Sequence, residues 1–112
     1  ENKGISEAKD FAILTNIITK AWSDHSVKEY KELKNLKKEN LRDNMTNLEL
    51  VLNMLAEATT TEISQQKNPQ NFTEHKNTAT AGGEVAGNAR KEIEKKTGKK
   101  IVTNKNAKNI LE

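Results

Sequence analysis

The side chains able to do chemistry in this sequence are few, and their spacing limits what they can do. Histidine occurs twice, at His25 and His75, and neither has a second histidine or a carboxylate at a helical spacing that would hold a metal ion. Gly82 and Gly87 reproduce the glycine spacing of a phosphate loop. Asn88-Ala89 stand where that loop needs lysine and a hydroxyl, so nothing would pair with the terminal phosphates. Gly83 and Gly87 form a G-x-x-x-G pair, which in a polar chain reads as close helix packing. No Ser/His/Asp arrangement accompanies a nucleophile turn, and no pair of carboxylates is framed by an apolar pocket pattern. The absence of cysteine excludes disulfides, thiolate catalysis and Cys-ligated zinc, and fits a reducing compartment. The expectation is no catalytic activity, no cofactor and no metal.

What remains is charge and packing. The formal net charge is +3, with lysine supplying nearly all the cations; Arg42 and Arg90 are the only arginines. Lysine gives a diffuse, strongly hydrated positive surface, whereas forked recognition of phosphate or guanine relies on arginine. The densest cationic stretch is Arg90, Lys91, Lys95, Lys96, Lys99, Lys100, Lys105 and Lys108, set against Glu92 and Glu94. These residues are the candidates for sequence-indifferent contact with nucleic-acid phosphate; the competing reading is a solvated, solubilising face. Trp22, Tyr30 and Phe72 could stack bases, but all three fall on apolar helix faces and read as core.

The elements that must position these residues are helical throughout, since no stretch alternates apolar with polar residues. Phe11, Leu14, Ile18 and Trp22 recur at helical spacing, with Ile13, Ile17 and Ala21 widening the stripe, and Ser6 is placed to cap this helix. Ser26-Val27-Lys28-Glu29 and Thr46-Asn47-Leu48-Glu49 both have capping-box spacing. The first opens a short helix carrying Tyr30 and Leu33 inward. The second opens the most apolar helix, read as the central one, with Glu49, Asn53, Glu57 and Thr60 on its wet side. On that reading Leu55→Ala would cost about 2–5 kcal/mol. Gln65 to Gln70, with Lys67-Asn68-Pro69, reads as a loop, and Asn71 caps a further helix. In this helix Phe72, Ala79, Ala86 and Ile93 form one seam position, with His75, Gly82 and Ala89 at the other. The seam of Phe72, Ala79, Gly82, Gly83, Ala86, Ala89 and Ile93 predicts tight contact with a helix of the same chain or of a second copy. Gly82-Gly83 costs about 1 kcal/mol per glycine unless close packing offsets it or the helix kinks there. Thr97-Gly98 supplies the stop, and Asn104 is placed to cap a last short helix reaching Ile110 and Leu111.

These readings converge on an all-α, small multi-helix domain of about four to six helices. With 112 residues, 33% hydrophobic and 31% charged, residues 1–112 have room for one domain and a thin core. The longest apolar runs, such as Leu50-Val51-Leu52, fall far short of the ~20 residues of a membrane span, and no signal-peptide core opens the chain. A cytoplasmic protein without membrane association is expected. The first residue is Glu1, directly before a helical pattern, which suggests a domain from a longer protein.

Three groups of residues carry a family likeness. Asp10-Phe11-Ala12, then Tyr30-Lys31-Glu32-Leu33, then Thr46-Asn47-Leu48-Glu49-Leu50 running into Asn53-Met54-Leu55-Ala56-Glu57-Ala58-Thr59-Thr60-Thr61-Glu62 resemble the C-terminal region of the damage-inducible protein D family. Closely similar regions follow the BRO N-terminal domain in prophage antirepressor-like proteins. Val85, Arg90 and Ile93, with Gly98 beyond, resemble that family's V-x-x-x-x-R-x-x-I segment. Where better-known members continue with Gly-Gly and Pro-Glu, this chain has Thr97-Gly98-Lys99-Lys100-Ile101-Val102. The resemblance implies an SOS-type, DNA-damage-inducible protein with a preceding BRO domain that binds DNA. It also implies a helical C-terminal domain for interaction or self-association. The expected partners are a second copy of the chain, DNA, or a DNA-bound protein.

Overall fold

The computed structural model describes residues 7–106. Among them the regular elements are four α-helices, α1 (Ala8–Ser23), α2 (Val27–Leu33), α3 (Asn47–Lys67) and α4 (Phe72–Thr97), with a 3-10 turn at Arg42–Asn44 before α3. No strand occurs among the described residues. The fold is all-α. The proposed cap Ser6, the end of the proposed last helix and Lys108 lie outside the described residues. Residues 101–106 run irregularly.

Local chemistry sets the boundaries. Ser26 and Thr46 each close a full capping box: the hydroxyl accepts from the third amide of the helix, and Glu29 or Glu49 accepts from the cap amide. The Ser26 amide and the nearby Lys20 ammonium hold the Glu29 carboxyl below its ordinary range. Asn71 caps α4 by accepting from the Glu74 amide. The α1, α3 and α4 helices end on left-handed residues, Asp24, Asn68 and Gly98, whose amides close back onto the last turn.

The central helix is α4, which packs against α1 on one side and α3 on the other. The expectation of a central α3 is therefore corrected, and the glycines are the cause. A Cβ built at Gly82 would lie 1.9 Å from Thr60 Oγ1 and 2.7 Å from Thr60 Cα on α3. One at Gly83 would lie 2.5 Å from Ala21 Cβ on α1. Gly87 similarly meets the backbone of Ala21 and Trp22. The helix runs unbroken through Gly82-Gly83 because both neighbours press against its backbone, offsetting the intrinsic cost of glycine.

The core gathers Trp22, Tyr30, Leu36, Leu41, Leu52, Ala56, Ala86 and Ile101, with Ile18, Ala89 and Ile93 packed against it. In α3 Leu52 and Ala56 are buried and Glu57 is exposed as expected, but other positions are exchanged. Glu49 and Asn53, placed on the wet side from sequence, are buried. Leu48, Val51, Met54 and Leu55, assigned to the core, are substantially exposed. Glu49 can face inward because α2 and the 101–106 segment supply the charge and the donors that a buried carboxylate requires.

Candidate interaction surface

The most polar cluster of the interior is the first place to look for chemistry. Tyr30 comes from α2, Lys34 from its C-terminal end and Glu49 from the first turn of α3, and all three are fully buried. Glu49 Oε1 accepts from Lys34 Nζ at 2.7 Å and from the Thr46 amide at 2.8 Å. Its Oε2 accepts from Tyr30 Oη at 2.5 Å and from the Thr103 amide at 3.3 Å. The other two Lys34 protons go to the carbonyls of Thr103 at 2.9 Å and Lys105 at 2.5 Å. Asn106 Nδ2 donates back to the Lys34 carbonyl. Burial and the hydrogen bond to Glu49 push the Tyr30 hydroxyl well above the ordinary phenol range, so it stays neutral and donates.

A lysine, a carboxylate and a tyrosine in contact could serve proton transfer, but here every valence is spent. All three lysine protons and four acceptor positions of the carboxylate are occupied by protein groups. The cluster is an anchor: it ties the 101–106 segment across α2 and α3. A second chain of polar groups runs outward from the core, from Trp22 Nε1 to Asn53 Oδ1 at 3.1 Å and onward to Glu57, which Arg42 holds at 2.8 Å. Among the described residues no buried side-chain nitrogen or oxygen lacks a partner, and no group of three His, Asp or Glu side chains is placed to hold a metal ion.

The basic candidates divide. Arg90 turns inward, donating from Nε to the Trp22 carbonyl at 2.7 Å and from Nη1 to Glu94 at 2.9 Å. It ties α4 to the end of α1, with two of its five N–H donors spent on protein groups. Lys91, Lys95, Lys99, Lys100 and Lys105 are exposed, and Lys96 is exposed beside Glu92 at 3.3 Å. The 101–106 segment, which carries Lys105, is held to the end of α2 through Lys34, and Lys37 and Lys38 beyond it are exposed as well. Sequence reasoning did not connect Lys34 with the 101–106 segment, because the contacts that join them span 69 and 71 residues.

The small-residue seam is consumed by the chain itself. Ala79, Gly82, Gly83 and Ala86 are buried between α1 and α3, and Ala89 and Ile93 pack against the core. Phe72 is half-buried, with the Lys76 ammonium 5.4 Å from its ring centre. Of the two partners envisaged for this seam, its own helices occupy it. A second copy would find no free surface there.

The free surface lies elsewhere. Leu48 is 40% exposed, Val51 58%, Met54 49%, Leu55 37% and, on α4, Val85 45%. Thr60 faces Gly82 across the antiparallel α3–α4 hairpin, so Ala56 and Ala86, one turn along, face each other at its centre. Leu55 precedes Ala56 by one residue just as Val85 precedes Ala86. In antiparallel helices equal steps of one sense emerge on the same side. The exposed apolar residues therefore share one face of the hairpin. Gly83 and Asn53, where α1 docks, mark the opposite face. Towards the turn the free face runs into a groove of about 460 Å³ lined by Ile63, Lys67, Pro69, Glu74, Thr78 and Ala81.

No helix of the described residues is long and apolar enough to cross a membrane. Compared with known proteins, the chain matches no family model, no curated protein and no solved structure.

Proposed function

We propose that this chain is a non-enzymatic interaction module. The observation that carries the reading is the apolar face of the α3–α4 hairpin: five large side chains, 37–58% exposed, in a chain with few apolar residues to spare. An exposed contiguous apolar patch costs solubility and is the usual mark of a binding surface. The Tyr30–Lys34–Glu49 cluster fits a structural role in such a module, since its donors and acceptors are taken up by protein groups. The likeness of Thr46–Leu50 and Asn53–Glu62 to the damage-inducible protein D and BRO-type antirepressor proteins supports placing it in a cytoplasmic, DNA-associated protein. The test is Val51→Asp combined with Leu55→Asp. An interaction surface predicts a melting temperature lowered by only a few degrees, together with loss of binding of a hydrophobic dye. A large fall in melting temperature would assign the face to the core and overturn the reading.

A second reading has its own support. Lys91, Lys95, Lys96, Lys99, Lys100 and Lys105 are all exposed, as are Lys37 and Lys38, and such cations are suited to nucleic-acid phosphate. Titration with salt of binding to unrelated duplexes tests it. Each phosphate neutralised contributes about −0.9 to the slope of log affinity against log salt. No binding at low salt ends this reading.

A further inference from the structure

We infer that the cleft between α1, α2, the 3-10 turn and α3 is a binding site for a small organic anion, a carboxylate on a compact apolar body. It lies on the α1 side of α3, away from the apolar hairpin face, and does not depend on what covers that face. The cleft holds about 300 Å³, at the small end of the range of ligand pockets. Two contacts build its walls. The Val27 amide donates to Asn16 Oδ1 at 2.8 Å, which seats the start of α2 on α1. Arg42 Nη1 donates to both Glu57 oxygens, at 2.8 and 2.9 Å, which ties the 3-10 turn to α3. Val27, Leu41 and Met45 supply the apolar part of the lining.

Two buried polar side chains turn towards this cleft. Thr60, Thr61, Thr78, Thr80 and Thr97 return their hydroxyls to the carbonyl four residues back, at 2.8–3.1 Å. Thr19, only 4% exposed, does not. Because no fully buried side-chain oxygen among the described residues lacks a partner, its hydroxyl opens into the cleft that Thr19 lines. Asn53, 7% exposed, is oriented by Trp22: its Oδ1 accepts from Trp22 Nε1, so its amide N–H groups point the other way, one of them reaching Glu57 at 3.4 Å. The groups left over are mostly donors. Glu57, the carboxylate nearest the centre, is already taken up by Arg42 and Asn53. Arg42 keeps three N–H groups beyond Nη1, and Lys31 is half-buried with its ammonium in no ion pair among the described residues. Two cations against one carboxylate leave a single positive charge uncompensated. Such donors around an apolar lining select one negative charge on an apolar body, since a neutral molecule of the same shape would forgo the charge-assisted bonds.

The experiment is titration of the isotopically labelled chain with benzoate and, separately, with neutral benzamide, followed by amide chemical shifts. Benzoate should shift the amides around 15–19, 27–31 and 40–45 along saturable curves, with a dissociation constant of about a millimolar. Benzamide should bind several fold more weakly. Lys31→Gln and Thr19→Val should each weaken benzoate by several fold. Lys28→Gln removes the same charge from an exposed position of the same helix outside the cleft, and should leave binding within about twofold of the parent. An amide spectrum unchanged away from the substituted position verifies that each variant folds, and Lys31→Gln alone suffices should Thr19→Val not. The absence of saturable shifts at the cleft, benzamide binding as tightly as benzoate, or equal losses in Lys31→Gln and Lys28→Gln would overturn the assignment.

Discussion

Lys34 Nζ meets Glu49 Oε1 at 2.7 Å with neither side chain reaching solvent. The pair joins the end of α2 to the start of α3, and the protons and oxygens left over hold Thr103 and Lys105. A charge pair removed from water gains stability over apolar packing only when its remaining bonds are made, and here they are.

Breaking that pair from one side should be severe. Lys34→Met leaves the Glu49 carboxylate buried without its cation and should cost about 3–5 kcal/mol in urea denaturation. Adding Glu49→Leu should recover part of that loss, because the stranded charge is then gone. A Lys34→Met variant as stable as the parent would show that the pair contributes nothing to the anchor.

Tyr30→Phe removes a hydroxyl that donates to a carboxylate, worth about 1.5–3 kcal/mol. It should also change the dependence on pH. The folded-state pKa of Tyr30 is raised, so its contribution is complete below the ordinary phenol value of 10.0 and is lost as pH rises above it, where the unfolded chain ionises and the folded one does not. Stability measured from neutral to strongly alkaline pH should fall less steeply for Tyr30→Phe than for the parent. Parallel curves would contradict the burial of this hydroxyl.

Gly82→Ala gains about 1 kcal/mol of helix propensity and should nonetheless destabilise, because its Cβ would sit 2.7 Å from the backbone of Thr60. Overpacking of this kind costs about 1–3 kcal/mol, and Ala86→Leu at the centre of the hairpin should cost at least as much. A raised melting temperature in Gly82→Ala would mean that α3 and α4 stand further apart.

The two leucines Leu52 and Leu55 test the orientation of α3. Leu52 is 2% exposed, and its replacement by Ala should cost about 2–5 kcal/mol. Leu55→Ala should cost less, about 1–2 kcal/mol, since its side chain already lies partly in water. Equal losses in thermal unfolding would contradict the rotation of this helix.

The caps at Ser26, Thr46 and Asn71 and the close packing at Gly82-Gly83 could be read from sequence because each depends on neighbouring residues or on the absence of a side chain. The orientation of α3 could not. Its apolar residues cover two thirds of the helix circumference, so hydrophobicity alone allows several rotations. Glu49 resolves the choice by a device invisible in one dimension: one carboxylate oxygen completes the capping box, and the other reaches Tyr30 and Thr103. Lys34 looked like any surface lysine for the same reason, its carbonyl partners lying about seventy residues away. The interaction face followed from this rotation, so sequence reasoning placed the contact on the α4 seam, which the chain's own α1 and α3 occupy.

The absence of native cysteine allows a direct measurement of which side of α3 faces water. Single variants Val51→Cys, Leu55→Cys and Leu52→Cys would be labelled with a thiol reagent under native conditions. The expected result is fast labelling at position 51, slower but ready labelling at 55, and strong protection at 52. Protection at 51 and 55 with rapid labelling at 52 would contradict it.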